Sequence, residues 1–348
     1  MDFLFLYTMK KIFSFLFSTL GLFVFSQQVE SFETILNDKI SIRAIEIYDN
    51  KVWYSGTDSK FGFVDLRNPQ NQYQIKLSDK KLQFRTLAQD DNSFYAINIE
   101  SPAYFFKVDK KDLTYKIVHT DTTKTAFYDA LLMSHNLGIA FSDPDSTQKL
   151  NLTFSTDNGT KWTNGACENW PLLEKGEAAF AASNTNISRY GNRFWIATGG
   201  KKSRIYTKSG GSCKWKAYET PMIQGGSSQG IYSIDFAGNK FGIAVGGDYT
   251  QQDENINNIA TTNDGGKTWK IQASGQNAGY TTCVRIKPDS WGKEIISVGD
   301  QHISYSSDFG KTWKKISGEK GFFVCKWIDE NTVVFAGKDR ISVMKLKF

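Results

Sequence analysis

The chain has 348 residues, enough for two ordinary domains or for one large all-β domain. With 22% charged residues, 14% aromatics and only six prolines, it is neither a disordered nor a collagen-like chain. Its formal charge of +6 comes from lysines scattered among Asp and Glu. This reads as a solvated surface, and no basic block or known fingerprint points to nucleic acid.

At the N-terminus, Lys10 and Lys11 precede a 14-residue apolar run, 12–25, followed by Ser26, Gln27 and Gln28. A basic segment, an apolar segment and then polar residues describe a secretory signal peptide, assigned to residues 1–27, with Met9 as an alternative start. A membrane anchor competes. The run is short against the roughly 20 residues a span needs, although residues 1–8 add apolar character before the lysines. No Cys ends the run, which disfavours a lipoprotein anchor. Export to the periplasm or the exterior is the expectation, with residues 28–348 as one domain.

Beyond the leader the chain repeats at intervals of about 40 to 55 residues, the size of a four-stranded propeller blade. Apolar opening strands are expected at 41–47, 83–87, 127–131, 180–183, 231–236, 282–286 and 323–328. Second strands ending in small residues follow at 52–56, 94–97, 137–141, 194–197, 241–245, 295–298 and 333–336. The last unit has room for only three strands, and residues 29–36 precede the first unit with no blade of their own. The expected fold is therefore an all-β, seven-bladed β-propeller of four-stranded antiparallel blades, its ring closed by an N-terminal strand in the last blade. Closure removes the exposed edges of an all-β ring. Two smaller β-domains are the alternative, but no linker composition marks a boundary.

A phrase of the form S/T-x-D-x-G-x-x-W occurs three times: Ser155 to Trp162, Thr262 to Trp269 and Ser306 to Trp313. The Asp (Asp157, Asp264, Asp308) accepts hydrogen bonds from the backbone of its own turn. The Gly (Gly159, Gly266, Gly310) supplies the positive φ that closes it, and the Trp (Trp162, Trp269, Trp313) anchors it by burial. These residues are structural. A degenerate fourth copy, Thr207 to Trp215, has Ser209 in place of the Asp and one extra residue.

The phrase matches the Asp-box (BNR-type) turn of sialidase-like β-propellers. A closer resemblance rests on Phe127-Tyr-Asp129 with Phe141-Ser-Asp143-Pro144, on Glu177 to Ser183, on Ala197-Thr-Gly-Gly200, on Gly230-Ile-Tyr-Ser233 and on Gly242 to Tyr249. From about residue 40 to the C-terminus the chain is similar to a family of exported bacterial propellers. These resemble the photosystem II stability/assembly factor and are often labelled oxidoreductases. The resemblance implies a binding or assembly role, the photosynthetic members acting on membrane-protein assembly intermediates.

In a propeller, the start of each inner strand and the end of the second share one face, opposite the Asp-box turns. Arg43, Arg85, Asp129, Asp143, Glu177, Asp248 and Tyr249 are thereby expected on a common rim, where loops on a rigid scaffold concentrate binding residues. Arginines and carboxylates round a funnel suit a polar or anionic ligand or a peptide. The competing reading is an ion-pair network that satisfies buried charge. No catalytic residue, cofactor or metal is assigned. The expected partner is an envelope or extracellular protein, or a polar or anionic ligand, with no nucleic acid, no integral membrane segment after cleavage, and a monomeric chain.

A sialidase-like glycoside hydrolase is an alternative, with Asp129, Asp143, Glu177 and Asp248 as candidate carboxylates. Only eight arginines are present and the sialidase Arg-Ile/Leu-Pro signature is missing. An oxidoreductase finds no dinucleotide or haem motif in the sequence. The acidic loop 248–258 departs from calcium-loop spacing. Four cysteines, Cys167, Cys213, Cys283 and Cys325, either pair in one of three ways or stay as buried thiols. Cys283 and Cys325, at equivalent places in consecutive repeats, are the pair to test first. The three histidines show no zinc spacing.

Overall fold

The computed structural model describes residues 28–165, 170–210 and 214–348. The expected signal peptide, Cys167, Cys213 and the middle of the degenerate motif copy lie outside the described residues. All regular structure among the described residues is β-strand, in antiparallel meanders. No helix there is long and apolar enough to cross a membrane.

Burial falls from the axis outwards. Ser93–Ile97 and Phe241–Asp248 are buried along their whole lengths, whereas the outer strands Gln72–Lys76 and Lys216–Glu219 are largely exposed. Inner strands are covered on both faces by neighbouring sheets, so they read as continuous apolar runs rather than as an alternation. Innermost strands touch in cyclic order: Gln28–Tyr48, Ala88–Gln89, Tyr128–Ser134, Ile187–Tyr190, Gln229–Ala237, Cys283–Ile286 and Phe322–Trp327, which returns to Gln28–Tyr48. The result is a closed propeller.

The expectation of a seven-bladed propeller of four-stranded blades is corrected to six. Among the described residues hydrogen bonding joins the strands into six sheets, four of four strands and two of six. One six-stranded sheet arises because Gln28–Tyr48 is a single 21-residue strand. Its first part pairs with Thr332–Lys347, Val29 opposite Leu346 and Leu36 opposite Ile341, and its last part pairs with Lys51–Gly56. The two chain ends and the first meander thus share one sheet.

The other six-stranded sheet is spliced by glycine. Gly199 lies opposite Ala178 on one side and Gly230 on the other, and Gly230 pairs with Gly247. A Cβ on Gly230 would sit 2.4 Å from the Cα of Gly199, and one on Gly246 would sit 1.8 Å from the carbonyl oxygen of Gly230. Only bare backbone allows this approach.

The three S/T-x-D-x-G-x-x-W turns share one hydrogen-bond pattern. In the second, the Thr262 hydroxyl donates to Asp264 Oδ1 at 2.8 Å, and the Gly266 N–H donates to that hydroxyl at 3.0 Å. The Lys267 and Thr268 N–H groups donate to Asp264, and Trp269 Nε1 donates to the Gly266 carbonyl. Each turn also docks on the preceding meander. Tyr95 donates to the Asn158 carbonyl at 2.6 Å, Trp195 Nε1 donates to the Gly265 carbonyl at 2.9 Å, and Phe309 packs edge-on against Phe241. The turns therefore fasten neighbouring meanders together as well as closing their own hairpins.

Candidate functional site

The inner strands place side chains at two levels of the axis. Arg43 and Glu46 stand on one strand, Tyr232 and Asp235 on another, Phe323 and Lys326 on a third. Thr282 and Arg285 repeat the spacing. The first of each pair lines a cavity of about 500 Å³ at one mouth of the channel. The second lines a cavity of about 370 Å³ at the other. Three residues of strand cover about 10 Å.

Strict alternation would point residues three apart in opposite directions. β-Bulges reconcile them. The pairing slips between Ile42 and Ala44, between Ile231 and Ser233, and between Phe322 and Val324. Arg43, Tyr232 and Phe323 are thus the extra, unpaired residues of their strands. Asp129 has the same position, since Tyr128 and Ala130 pair with adjacent residues, Ser142 and Phe141. A bulge adds one residue and re-aims its side chain.

The larger cavity is walled by aromatics. Phe180 stacks on Tyr232 with ring centroids 4.0 Å apart, and Tyr280 meets Tyr232 edge-on at 4.8 Å. Burial holds both phenols well above the usual tyrosine range, so they remain neutral donors. Two guanidiniums enter this wall. Arg43 lies 4.0 Å over the Phe323 ring and donates to the Ala182 carbonyl at 3.1 Å. Arg85 donates to the Ala181 carbonyl at 3.4 Å. Among the described residues neither guanidinium forms an ion pair. Burial, and then the like charge of Arg85, push Arg43 down to about 10. Burial likewise lowers Arg85, against the attraction of Asp129 and Glu100. Both remain cations at neutral pH.

Of the residues expected on the rim, Arg43, Arg85 and Tyr249 line this cavity. The carboxylates do not. Asp129 is fully buried, and neither of its oxygens has a hydrogen-bond partner. Burial and the neighbouring Asp143 drive its pKa well above the carboxylate range, opposed by Arg85. Asp143 accepts the Ala179 N–H at 3.3 Å and is pushed up to about 6 by burial. Asp248 caps its own turn through the N–H and hydroxyl of Thr250. Glu177 is enclosed by Arg204, Tyr206, Thr198 and the Glu174 N–H. The ion-pair network weighed for the whole rim therefore describes Glu177 and leaves Arg43 and Arg85 out.

Sequence reasoning missed Tyr232, Phe323, Tyr280, Asp300, Gln252 and Lys338 as lining residues. Tyr232 and Phe323 occupy the station of Arg43 in their own repeats, so aligning the repeats on Arg43 was the available signal. Tyr280 and Asp300 sit on connections, where no such register exists. The remaining expected pair, Cys283 and Cys325, are adjacent buried thiols with sulfurs 3.9 Å apart. No group of three metal-binding side chains forms among the described residues.

No protein-family model matches this sequence, and no curated protein matches it. Solved structures do. YCF48 bound to a D1 peptide superposes with a TM-score of 0.66 at 11% identity, covering 91% of this chain and 95% of that one. YCF48 from Cyanidioschyzon merolae gives 0.64 at 12%, covering 90% and 98%. The WD40 repeats of RRP9 give 0.65 at 8%, covering 92% and 100%. The chain is an all-β propeller. At such identities the likeness carries the fold alone, and what this propeller binds must be argued from its own residues.

Proposed function

We propose that the protein is an exported, non-catalytic Asp-box propeller that captures an anionic segment of a partner protein in the Arg43/Arg85 funnel. The observation that carries this reading is the pair of half-buried guanidiniums in the cavity wall that form no ion pair among the described residues. A buried cation is costly unless compensated, and planar guanidiniums match carboxylate oxygens in bidentate fashion. The aromatic wall supplies apolar area for the rest of a peptide. One structural relative was solved with a peptide bound, which agrees with a peptide-sized role for this fold. The leader assigned to residues 1–27 makes an envelope or extracellular protein the partner expected.

The glycoside hydrolase alternative is less well supported. Asp129 and Glu177 are fully buried and Asp248 is engaged by its own turn, which leaves Asp143 as the one of the four candidate carboxylates without such an engagement, and the reaction needs a pair.

The test is fluorescence anisotropy with a panel of acidic peptides, each with a free and an amidated C-terminus, against the wild type and the Arg43→Ala/Arg85→Ala variant. Loss of charge-assisted hydrogen bonds should weaken binding by about ten- to a hundredfold. Equal binding by both proteins would remove the funnel as the site. A preference for free over amidated termini would identify a chain end as the captured segment.

A further inference from the structure

The second mouth of the channel, on the face that carries the S/T-x-D-x-G-x-x-W turns, is a separate polar cavity of about 370 Å³. That volume suits a small molecule. Its charged residues fall into two groups. Glu46 is engaged through Oε2: Lys326 forms an ion pair with it and Gln89 Nε2 donates to it at 2.8 Å. Asp235 is held by backbone, accepting the N–H groups of Phe236 at 3.0 Å and Ile286 at 2.8 Å.

The two arginines are less completely engaged. Arg285 forms one long ion pair, to Asp235 at 3.9 Å, and its Nε is buried without a hydrogen-bond partner. Arg189 donates through Nη1 to the Ser134 hydroxyl and forms no ion pair among the described residues, where its Nε is also buried and unpartnered. A guanidinium carries five N–H donors in a fixed fork, so this cavity holds donor capacity that the chain leaves unused. Leaving such donors buried and unpaired is unfavourable. Leu131, Leu132, Met133 and Ile187 provide an apolar wall beside them.

We infer that this mouth is a second binding site, distinct from the funnel, for a small oxoanion-bearing molecule whose carboxylate or phosphate oxygens complete Arg189 and Arg285. The hydroxyls of Ser183, Thr185 and Ser233 link into one buried chain between the two mouths, with Ser183 donating to the Thr282 carbonyl at 2.6 Å. This polar waist lies between the two cavities and separates them.

Isothermal titration of the purified protein with inorganic phosphate and with succinate, at ionic strength fixed with chloride, tests this. The wild type should bind at least one of them saturably. The Arg43→Gln/Arg85→Gln variant should keep that binding, and Arg189→Gln/Arg285→Gln should lose at least about tenfold in affinity. Met133→Trp, which fills the cavity without changing charge, should block binding too and serves if the arginine variant misfolds. Phosphate alone binding would assign a phosphate-bearing ligand, and succinate alone a carboxylate-bearing one. No saturable binding of either, or binding lost in the funnel variant and kept in the other two, would overturn the second site.

Discussion

The Asp-bearing turns and the axial channel handle polar groups in opposite ways. In the turns each carboxylate is used by backbone N–H groups and hydroxyls within four residues, and each Trp nitrogen finds a carbonyl three residues back. In the channel, Asp129 has no hydrogen-bond partner, and Arg43, Arg85 and Arg189 form no ion pair among the described residues, although Asp300 attracts Arg43 and Asp129 and Glu100 attract Arg85 from further away. A polar group satisfied by its own turn holds structure together. One left unsatisfied on an axis, in a rigid frame, needs another explanation, and the proposed funnel offers one.

That contrast breaks most visibly where a turn is fastened. Trp195 is fully buried, stacks on Phe236 with centroids 3.9 Å apart and holds the Gly265 carbonyl. Trp195→Ala should lower unfolding stability by about 3–5 kcal/mol in chemical denaturation. Arg43 and Arg85 should behave otherwise. If they were half of a structural ion-pair network, removing them would cost about 3–5 kcal/mol. Since they form no ion pair and feel Asp300, Asp129 and Glu100 only at longer range, the double alanine variant should lose much less than that.

A smaller effect sharpens the picture at Asp143. Burial raises its folded pKa to about 6 from the ordinary 3.8. Between those values the folded state binds more protons than the unfolded one, so its contribution to stability falls as pH rises through that window. Asp143→Asn should therefore gain stability over the wild type at pH 7, by about 1–3 kcal/mol, and show little difference at pH 3.5. Denaturation midpoints at the two pH values measure this.

The smallest effect is expected in the turns. Burial opposes ionisation of Asp264, but the Thr268 hydroxyl and N–H, with further donors, hold its pKa down at about 2. Its contribution is present above the ordinary carboxylate pKa and is lost as pH falls through about 2. Asp264→Asn should flatten that acid limb while changing neutral stability by under about 1 kcal/mol, as fits a partly exposed, solvent-screened group.

The sequence by itself determined the all-β ring, the repeat length, the turns, and Arg43, Arg85 and Tyr249 as funnel residues. These are legible because apolar runs, glycines and short polar turn residues act locally, within one hairpin. Only the tertiary structure decided the number of sheets, because whether Gln28–Tyr48 crosses from one meander to the next depends on strands hundreds of residues away. It also decided which charges are spent. Glu177 and Arg43 are alike in sequence, as charged residues near the start of a repeat, yet Arg204 forms an ion pair with the first and no carboxylate among the described residues forms one with the second. Bulges settled the rest: one extra residue turns Tyr232 and Phe323 into the funnel, and a slip of pairing leaves no mark in composition or periodicity.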